Sequence, residues 1–253
     1  MNPKIDSPLA GSCALVTGGA KRIGRRIVLH LARRGVEVVV HYHSSKEEAR
    51  SLLEEVNRWG VSAWLIEADF AEDSAEELMA RIEERGIELD FLINNAAIFP
   101  RSDLEDLNLA HIEESFKINA WAPFALLRAF ARRVESGASV NLLDARVAGY
   151  DWEHVGYYLS KVLLERLTKM SALALAPDVR VNAVAPGLIL PPPGGGEEYL
   201  EERLCRVPLG RSGNKAEVAG AVSFLLENQF VTGQTIYVDG GRHLLEEKGG
   251  ESV

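Results

Sequence analysis

Apolar residues follow two patterns along the chain: short, nearly continuous apolar runs, and longer stretches in which they recur at helical spacing. The short runs predict strands at residues 14–17, 36–41, 63–67, 91–94, 139–143, 179–184 and 235–238. The longer stretches predict helices at 22–34, 45–59, 74–85, 104–134, 157–175 and 215–227. Four polar residues followed three positions later by Glu predict capped helix starts: Ser45/Glu48, Ser74/Glu77, Ser102/Glu105 and Asn214/Glu217.

Strands that alternate with helices of this length predict βαβ units and hence a parallel sheet. The strand runs do not alternate between apolar and polar residues, as expected when helices cover both faces of the sheet. We therefore expect one α/β domain over residues 1–253, with a doubly wound, seven-stranded parallel sheet. The proline- and glycine-rich start of residues 191–206 predicts a mobile loop beside the substrate, and 1–10 and 245–253 are expected to be flexible tails.

Composition narrows the possible classes of function. The 253 residues carry a net charge of −9, which argues against nucleic acid or anionic lipid as the main partner. No run approaches the roughly 20 apolar residues of a membrane span, and the N-terminus lacks the basic start and apolar core of a signal peptide. With only Cys13 and Cys205, no disulfide framework is expected, and a reducing cytoplasm is the predicted location.

The first strand leads directly into TGGAKRIG, residues 17–24, and then into a helix. Glycines at this junction let the backbone approach a pyrophosphate, which the amides at the helix N-terminus attract. The alternative is a turn that merely tolerates glycine. The position in the first βα unit and the cluster of Lys21, Arg22, Arg25 and Arg26 favour phosphate binding.

The end of the second strand indicates which dinucleotide fits. An acidic residue there would bind a ribose diol and repel a 2′-phosphate, but the segment reads HYHSS at 41–45, with no carboxylate before Glu47. With Lys21 and Arg22 nearby, NADP(H) is favoured over NAD(H). His41 and His43 are otherwise expected to make ordinary hydrogen bonds, and no metal is expected because no third ligand follows at suitable spacing.

Tyr157 and Lys161 lie four residues apart on a predicted helix and therefore share a face. An ammonium beside a phenol lowers the phenol pKa from about 10, so Tyr157 is a candidate proton donor. A pair of this kind is, however, more often a solvated helix face.

The ordered set TGGAKRIG, Asp69, NNA at 94–96, Asn119, Tyr157 with Lys161, PG at 186–187 and VDGG at 238–241 resembles the short-chain dehydrogenase/reductase family. The resemblance covers nearly the whole chain and implies a Rossmann-type fold, NADP(H) as cofactor and a homotetramer. It also implies these cofactor-binding residues: Gly18, Lys21, Arg22, Ile23, Gly24, His43, Ser44, Ser45, Asp69, Phe70, Asn95, Ala96, Ala97, Tyr157, Lys161, Pro186, Gly187 and Leu188.

Two positions depart from the common family pattern. Arg22 replaces the middle glycine, and Asp144 stands where the family has a serine, 13 residues before Tyr157. Both departures, together with HYH at 41–43 and DGGRHL at 239–244, resemble the pteridine reductase branch and its bacterial dihydromonapterin reductases. The resemblance implies Asp144, Tyr157, Lys161 and Asn119 as catalytic residues, with Asn119 on a helix that bends where Pro123 follows. It implies Phe99, Asp144 and Tyr157 as substrate-binding residues.

The resulting hypothesis is an NADPH-dependent reductase that transfers hydride to a C=N bond of a dihydropterin. Phe99 is expected to stack on the pterin, and its alternative role is core packing. One alternative function is a carbonyl reductase of the same family, of the 3-oxoacyl reductase type. Another is a non-catalytic NADP(H) sensor, against which the intact Tyr157, Lys161 and Asn119 argue.

Overall fold

Seven parallel strands form one sheet in this computed structural model, which describes residues 7–192 and 194–246. The strands are β1 Cys13–Val16, β2 Glu37–Tyr42, β3 Ala63–Glu67, β4 Phe91–Asn94, β5 Gly137–Leu142, β6 Val179–Pro186 and β7 Thr235–Val238. Their order is β3-β2-β1-β4-β5-β6-β7, and every neighbouring pair is parallel. The order reverses between β1 and β4, and this reversal opens a crevice at the carboxyl ends of the strands.

Helices cover both faces of the sheet. They are α1 Arg22–Arg33, α2 Lys46–Asn57, α3 Ala75–Glu83, α4 Leu109–Phe116, α5 Ala122–Ala131, α6 Val155–Ala174, α7 Glu198–Glu201, α8 Lys215–Glu227 and α9 Arg242–Glu246. Adjacent residues of β1 face opposite layers: Val16 packs with α1, α2 and α8, whereas Leu15 packs with α3, α5 and α6. This double layer confirms the predicted Rossmann-type α/β fold. None of the helices described has the length and apolar character needed to cross a membrane.

The prediction of a single helix at 104–134 is wrong. A 3-10 helix at Leu104–Asp106 comes first, and α4 and α5 are joined by a π-helical turn, Lys117–Trp121. Pro123 lacks the N–H that would bond to the carbonyl of Asn119, so the regular helical ladder is interrupted here. The interruption puts Asn119 at the widened turn.

Two of the four predicted helix caps are also wrong. Ser74 and Asn214 form complete capping boxes, as predicted. Ser45 precedes α2 but makes no capping hydrogen bond with its side chain. The Ser102 hydroxyl instead accepts a hydrogen bond from the Gly156 N–H at 3.0 Å, so it holds the start of α6.

The predicted tails and loop contain regular structure. Leu9 is buried in the core and α9 extends to residue 246, so residues 7–10 and 245–246 are folded; 1–6 and 247–253 lie outside the described residues. Residues 191–206 contain α7 and a 3-10 helix at Leu204–Arg206. The mobility of this segment stays a prediction.

Candidate active site

A cavity of about 620 Å³ opens at the carboxyl ends of the central strands. Among the predicted site residues, its lining contains Gly18, Lys21, Arg22, Ile23, Gly24, His43, Ser44, Ser45, Asp69, Phe70, Asn95, Ala96, Ala97, Phe99, Tyr157, Lys161 and Pro186. Gly187, Leu188, Asn119 and Asp144 are not among the lining residues, although Asp144 adjoins them through its hydrogen bond with Tyr157. Gly187 packs so closely on Asp239 that an added Cβ would lie 2.6 Å from the Asp239 Cα.

The turn at residues 17–24 has the tight backbone that a bound pyrophosphate requires. Gly18 has a φ of +60°, and a Cβ on Gly24 would lie 2.2 Å from the Gly18 carbonyl oxygen. No side chain fits between these two segments, so glycine is required at Gly24. Arg22 also lies in the left-handed region, with a φ of +52°, which is strained for a residue other than glycine. The turn therefore fits the phosphates of a dinucleotide.

The cations of this turn contact groups at the rim of the cavity. Lys21 forms an ion pair of 2.9 Å with Glu48, and both side chains are about half exposed. Arg22 reaches across to donate a hydrogen bond to the Pro191 carbonyl at 2.5 Å. Neither cation has a buried partner, so both can turn toward an anionic ligand.

The second half of the cavity lies where β2 and β3 end. His43 approaches Asp69 at 3.5 Å, and Asp69 accepts a hydrogen bond from the Ala71 N–H at 2.9 Å. Phe70 stacks on His41 with the ring centres 4.4 Å apart. This flat surface next to a carboxylate suits the adenine end of a dinucleotide, and the cofactor-binding roles of Asp69 and Phe70 stay a prediction.

Tyr157 and Lys161 line the opposite end of the cavity, and Asp144 lies beside Tyr157. The Tyr157 hydroxyl donates to Asp144 Oδ2 at 3.0 Å, and Asp144 Oδ1 accepts from the Arg146 N–H at 2.9 Å. Lys161 donates to the Leu142 carbonyl at 2.7 Å and lies 5.8 Å from the centre of the Tyr157 ring. Tyr157 and Lys161 are both buried. The structure thus places all three side chains in one site.

The expectation that Lys161 lowers the phenol pKa is wrong for this structure. Burial, and next the charge of Asp144, raise the pKa of Tyr157 well above its ordinary value, and only Arg146 counteracts them. Burial lowers the pKa of Lys161 to about 8, against the opposing effect of Asp144. Tyr157 is therefore a neutral phenol that holds its proton, next to an ammonium that can release one near neutral pH.

Asn119 and Phe99 have partners that the sequence did not indicate. The Asn119 side chain accepts from the Ile98 N–H at 2.9 Å and donates to the Ser160 hydroxyl at 3.2 Å, so it holds the loop after β4 against α6. Phe99 lies edge-on to Tyr157, with 4.6 Å between ring centres, and stacks on His154 at 3.8 Å. One face of Phe99 is thus covered within the protein.

A group of charged residues beside Phe99 was missed by the sequence analysis. Asp151 accepts hydrogen bonds from both Arg146 and His154. The Arg146 guanidinium also lies 5.2 Å from the centre of the Phe99 ring. Burial alone would raise the pKa of Asp151, but the His154 hydrogen bond and the Arg146 charge lower it to about 2. The spacing of these residues resembles no motif, and only their proximity to Asp144 in sequence could have indicated them.

Thr17 was also missed, although it is the first residue of the glycine-rich turn. Its hydroxyl accepts from the N–H groups of Asn95 and Ala96 at 2.9 and 3.0 Å. It therefore fixes the wall of the cavity between its two ends. Within residues 7–192 and 194–246, no three His, Cys, Asp or Glu side chains form a group that could hold a metal ion.

Comparisons with known proteins agree with this geometry. Residues 18–243 match the family model described as enoyl-(acyl carrier protein) reductase. The chain is 35% identical over 242 residues to the 3-oxoacyl-(acyl-carrier-protein) reductase FabG of Staphylococcus aureus, an alignment that covers 91% of this chain and 98% of that one.

Two solved structures are similar over nearly their whole length. The first is the FolM alternative dihydrofolate reductase 1 of Brucella suis in complex with NADP, with a TM-score of 0.89, 34% identity, and coverage of 93% of this chain and 96% of that chain. The second is the promiscuous reductase LugOII, which catalyses keto-reduction at C1 in lugdunomycin biosynthesis, with a TM-score of 0.86, 31% identity, and coverage of 94% and 100%.

The matched region contains the glycine-rich turn, the cavity, and the Tyr157–Lys161 pair with the neighbouring Asp144. The chain therefore belongs to the short-chain dehydrogenase/reductase family and is an oxidoreductase that uses a nicotinamide dinucleotide.

Proposed function

We propose that this protein is an NADPH-dependent reductase that transfers hydride to a C=N bond of a dihydropterin. The observation that carries the proposal is the 3.0 Å hydrogen bond from the Tyr157 hydroxyl to Asp144. A carboxylate at this position accepts hydrogen bonds but donates none, so it suits a substrate edge that presents N–H groups. The amino-pyrimidine edge of a pterin is such an edge.

The same carboxylate disfavours simple ketones. Reduction of a carbonyl develops negative charge on oxygen, and a negative group beside that oxygen raises the energy of the transition state. In reduction of a C=N bond the nitrogen takes up a proton, and no anion needs to persist beside Asp144. The similarity to the FolM alternative dihydrofolate reductases of Brucella supports this assignment.

The proton for the ring nitrogen is assigned to Tyr157. Because burial keeps its phenol neutral, the hydroxyl can exchange its hydrogen bond to Asp144 for one to the substrate nitrogen and donate its proton there. Lys161, with a pKa of about 8, is the group that returns a proton to the phenolate. The bound dinucleotide supplies the hydride. Asn119 holds the wall that bears Phe99 in place.

The preference for NADPH over NADH rests on the end of β2. Ser44 and Ser45 border the cavity, and the Ser45 side chain makes no capping bond to α2. The amides at the start of α2 and the Lys21 ammonium are therefore available to a 2′-phosphate. Glu48, which pairs with Lys21, is the carboxylate that weakens this preference.

Assembly into a homotetramer is part of the proposal. Helix α6 presents exposed apolar side chains at Leu159, Leu163, Met170 and Leu173, and the turn before α5 presents Trp121. Apolar side chains repeated along one exposed helix face indicate contact with another subunit.

A carbonyl reductase is the second candidate, because the chain is 35% identical to a 3-oxoacyl reductase and 31% identical to the keto-reducing LugOII. The deciding experiment is NADPH oxidation, followed by absorbance, with a dihydropterin, a quinonoid dihydropterin and a 3-oxoacyl thioester side by side. We expect a kcat/KM for a pterin at least tenfold above that for the thioester. Efficient reduction of the thioester with no pterin reduction would overturn the pterin assignment.

A further inference from the structure

We propose that His41 is a positioning residue for the cofactor: its imidazole joins the phosphate-binding turn to the loop at the adenine end of the cavity. Nothing in the motif set assigns it this role, since sequence patterns predict only ordinary hydrogen bonds for a histidine at the end of β2. The inference concerns the cofactor half of the site. It holds for any substrate, including one other than a pterin.

The His41 imidazole makes one contact with each half of the cofactor site. Nδ1 accepts a hydrogen bond from the Gly18 N–H at 3.1 Å, on the phosphate side. Nε2 lies 3.1 Å from the Ala68 carbonyl, directly before Asp69 on the adenine side. Its ring stacks on Phe70, and only 2% of the residue is exposed. The backbone carbonyl of His41 also accepts from the Gly19 N–H at 2.9 Å.

These partners determine the tautomer. An amide N–H only donates and a carbonyl only accepts, so Nδ1 must be bare and Nε2 must carry the hydrogen. A doubly protonated ring would turn an N–H toward the Gly18 N–H and break that contact. Burial and the neighbouring His43 and Arg81 disfavour a second proton on the ring, whereas the Ala68 carbonyl and Asp73 favour it.

Because of its contact with Gly18, His41 affects cofactor binding as well as packing. Gly18 has a φ of +60° and lies against Ala96, so its position sets the width of the phosphate turn. The imidazole holds this glycine at a fixed distance from Ala68, and thus from the surface formed by Asp69 and Phe70. Loss of the Gly18 bond frees the phosphate turn itself, whereas loss of the Ala68 bond leaves Gly18 held, so the two losses should differ in their effect on the cofactor.

Two substitutions separate the two hydrogen bonds. In His41→Asn, the side-chain oxygen can take the place of Nδ1 and accept from Gly18. In His41→Gln, the side-chain amide nitrogen can take the place of Nε2 and donate to Ala68. We expect His41→Gln to weaken NADPH binding about tenfold, the effect of one lost buried hydrogen bond, and His41→Asn to weaken it less than about threefold. Nicotinamide fluorescence titration measures both Kd values.

A control variant and a second measurement keep the test decisive. Val39→Ala, in the same strand, removes buried packing without a polar contact, so it should lower thermal stability and leave the Kd for NADPH unchanged. Nitrogen-15 NMR of the wild-type imidazole should show a bare Nδ1 and a protonated Nε2. Equal Kd values for His41→Asn and His41→Gln, or a protonated Nδ1, would overturn the proposal.

Discussion

Tyr157 and Asp144 share a hydrogen bond of 3.0 Å in which the phenol is the donor. A serine at position 144 could give a hydrogen bond to the substrate as well as receive one, whereas Asp144 can only receive. In the proposed function, this contact makes the site one that accepts N–H groups beside a neutral phenol, where a serine would help to stabilise an oxyanion. The chemistry we propose follows from this change.

Replacement of the proton donor is the most direct test of the mechanism. Tyr157→Phe keeps the ring that packs against Phe99 but removes the hydroxyl, so turnover should fall by a factor on the order of 10²–10⁴ while NADPH still binds. Steady-state rates and a fluorescence titration of NADPH measure the two effects. Turnover close to that of the wild type would contradict the assignment of Tyr157.

Replacement of the carboxylate tests the substrate class. Asp144→Ser removes the acceptor for pterin N–H groups and introduces a neutral donor, so pterin reduction should fall by at least tenfold and 3-oxoacyl thioester reduction should rise. Asp144→Ala, which accepts and donates nothing, serves as the control and should impair both reactions. If Asp144→Ser retains full pterin reduction, the carboxylate has no part in substrate recognition.

The Lys21–Glu48 ion pair leads to a prediction about cofactor preference. Glu48 binds the cation that a 2′-phosphate would also use, so Glu48→Gln should tighten NADPH binding by about two- to fivefold and leave NADH binding almost unchanged. Glu47→Gln, one position earlier, is the control because Glu47 pairs with Arg50. Parallel titrations with both cofactors measure the ratio. An equal change for NADPH and NADH would show that Lys21 does not contact the 2′-phosphate.

His41 makes stability depend on pH in a defined range. Burial lowers its pKa from 6.5 to about 4. Between these pH values the unfolded chain therefore binds a proton at His41 and the folded chain does not. The contribution of His41 to the free energy of unfolding is therefore fully present above pH 6.5. It is lost as the pH falls toward 4, by roughly 3 kcal/mol at most. The free energy of unfolding, measured by urea unfolding at pH 6.5 and at pH 4, should change more with pH in the wild type than in His41→Asn. Parallel curves would contradict the shift.

The exposed apolar face of α6 predicts the assembly. Light scattering at micromolar concentration should give the mass of a tetramer, and Leu163→Glu should lower it, because a charge on a buried subunit contact is unfavourable. Ser51→Glu on α2, whose outer face bears no exposed large apolar side chain, is the matched control and should leave the mass unchanged. A monomeric wild type would contradict the prediction.

The order of strands and helices could be predicted because the seven strands are buried on both faces. Each strand therefore appears in the sequence as a nearly continuous apolar run. The glycine-rich turn was equally predictable, since Gly18 and Gly24 are required by local backbone geometry. The break around Asn119 was expected only from the family resemblance and Pro123, because the pattern of apolar residues continues unchanged across the π-turn.

The pKa shifts of Tyr157 and Lys161 could not be predicted from their spacing in the sequence. Two residues four apart on a helix suggested that Lys161 acts on Tyr157, but burial and the proximity of Asp144 determine the phenol's protonation. Those influences depend on how β5 and α6 pack. The contacts among Arg146, Asp151 and His154 likewise form only when the loop after β5 folds back on Phe99.

The segment 144–154 closes on itself: Asp144 binds the Arg146 backbone, and Asp151 binds both Arg146 and His154. It is also tied to the loop after β4, because the Ser102 N–H donates a hydrogen bond to the Glu153 carbonyl. The carboxylate of Asp144 and the ring of Phe99, which stacks on His154, are thus carried by one connected unit. A change that loosens one of them also loosens the other, so neither can be remodelled on its own.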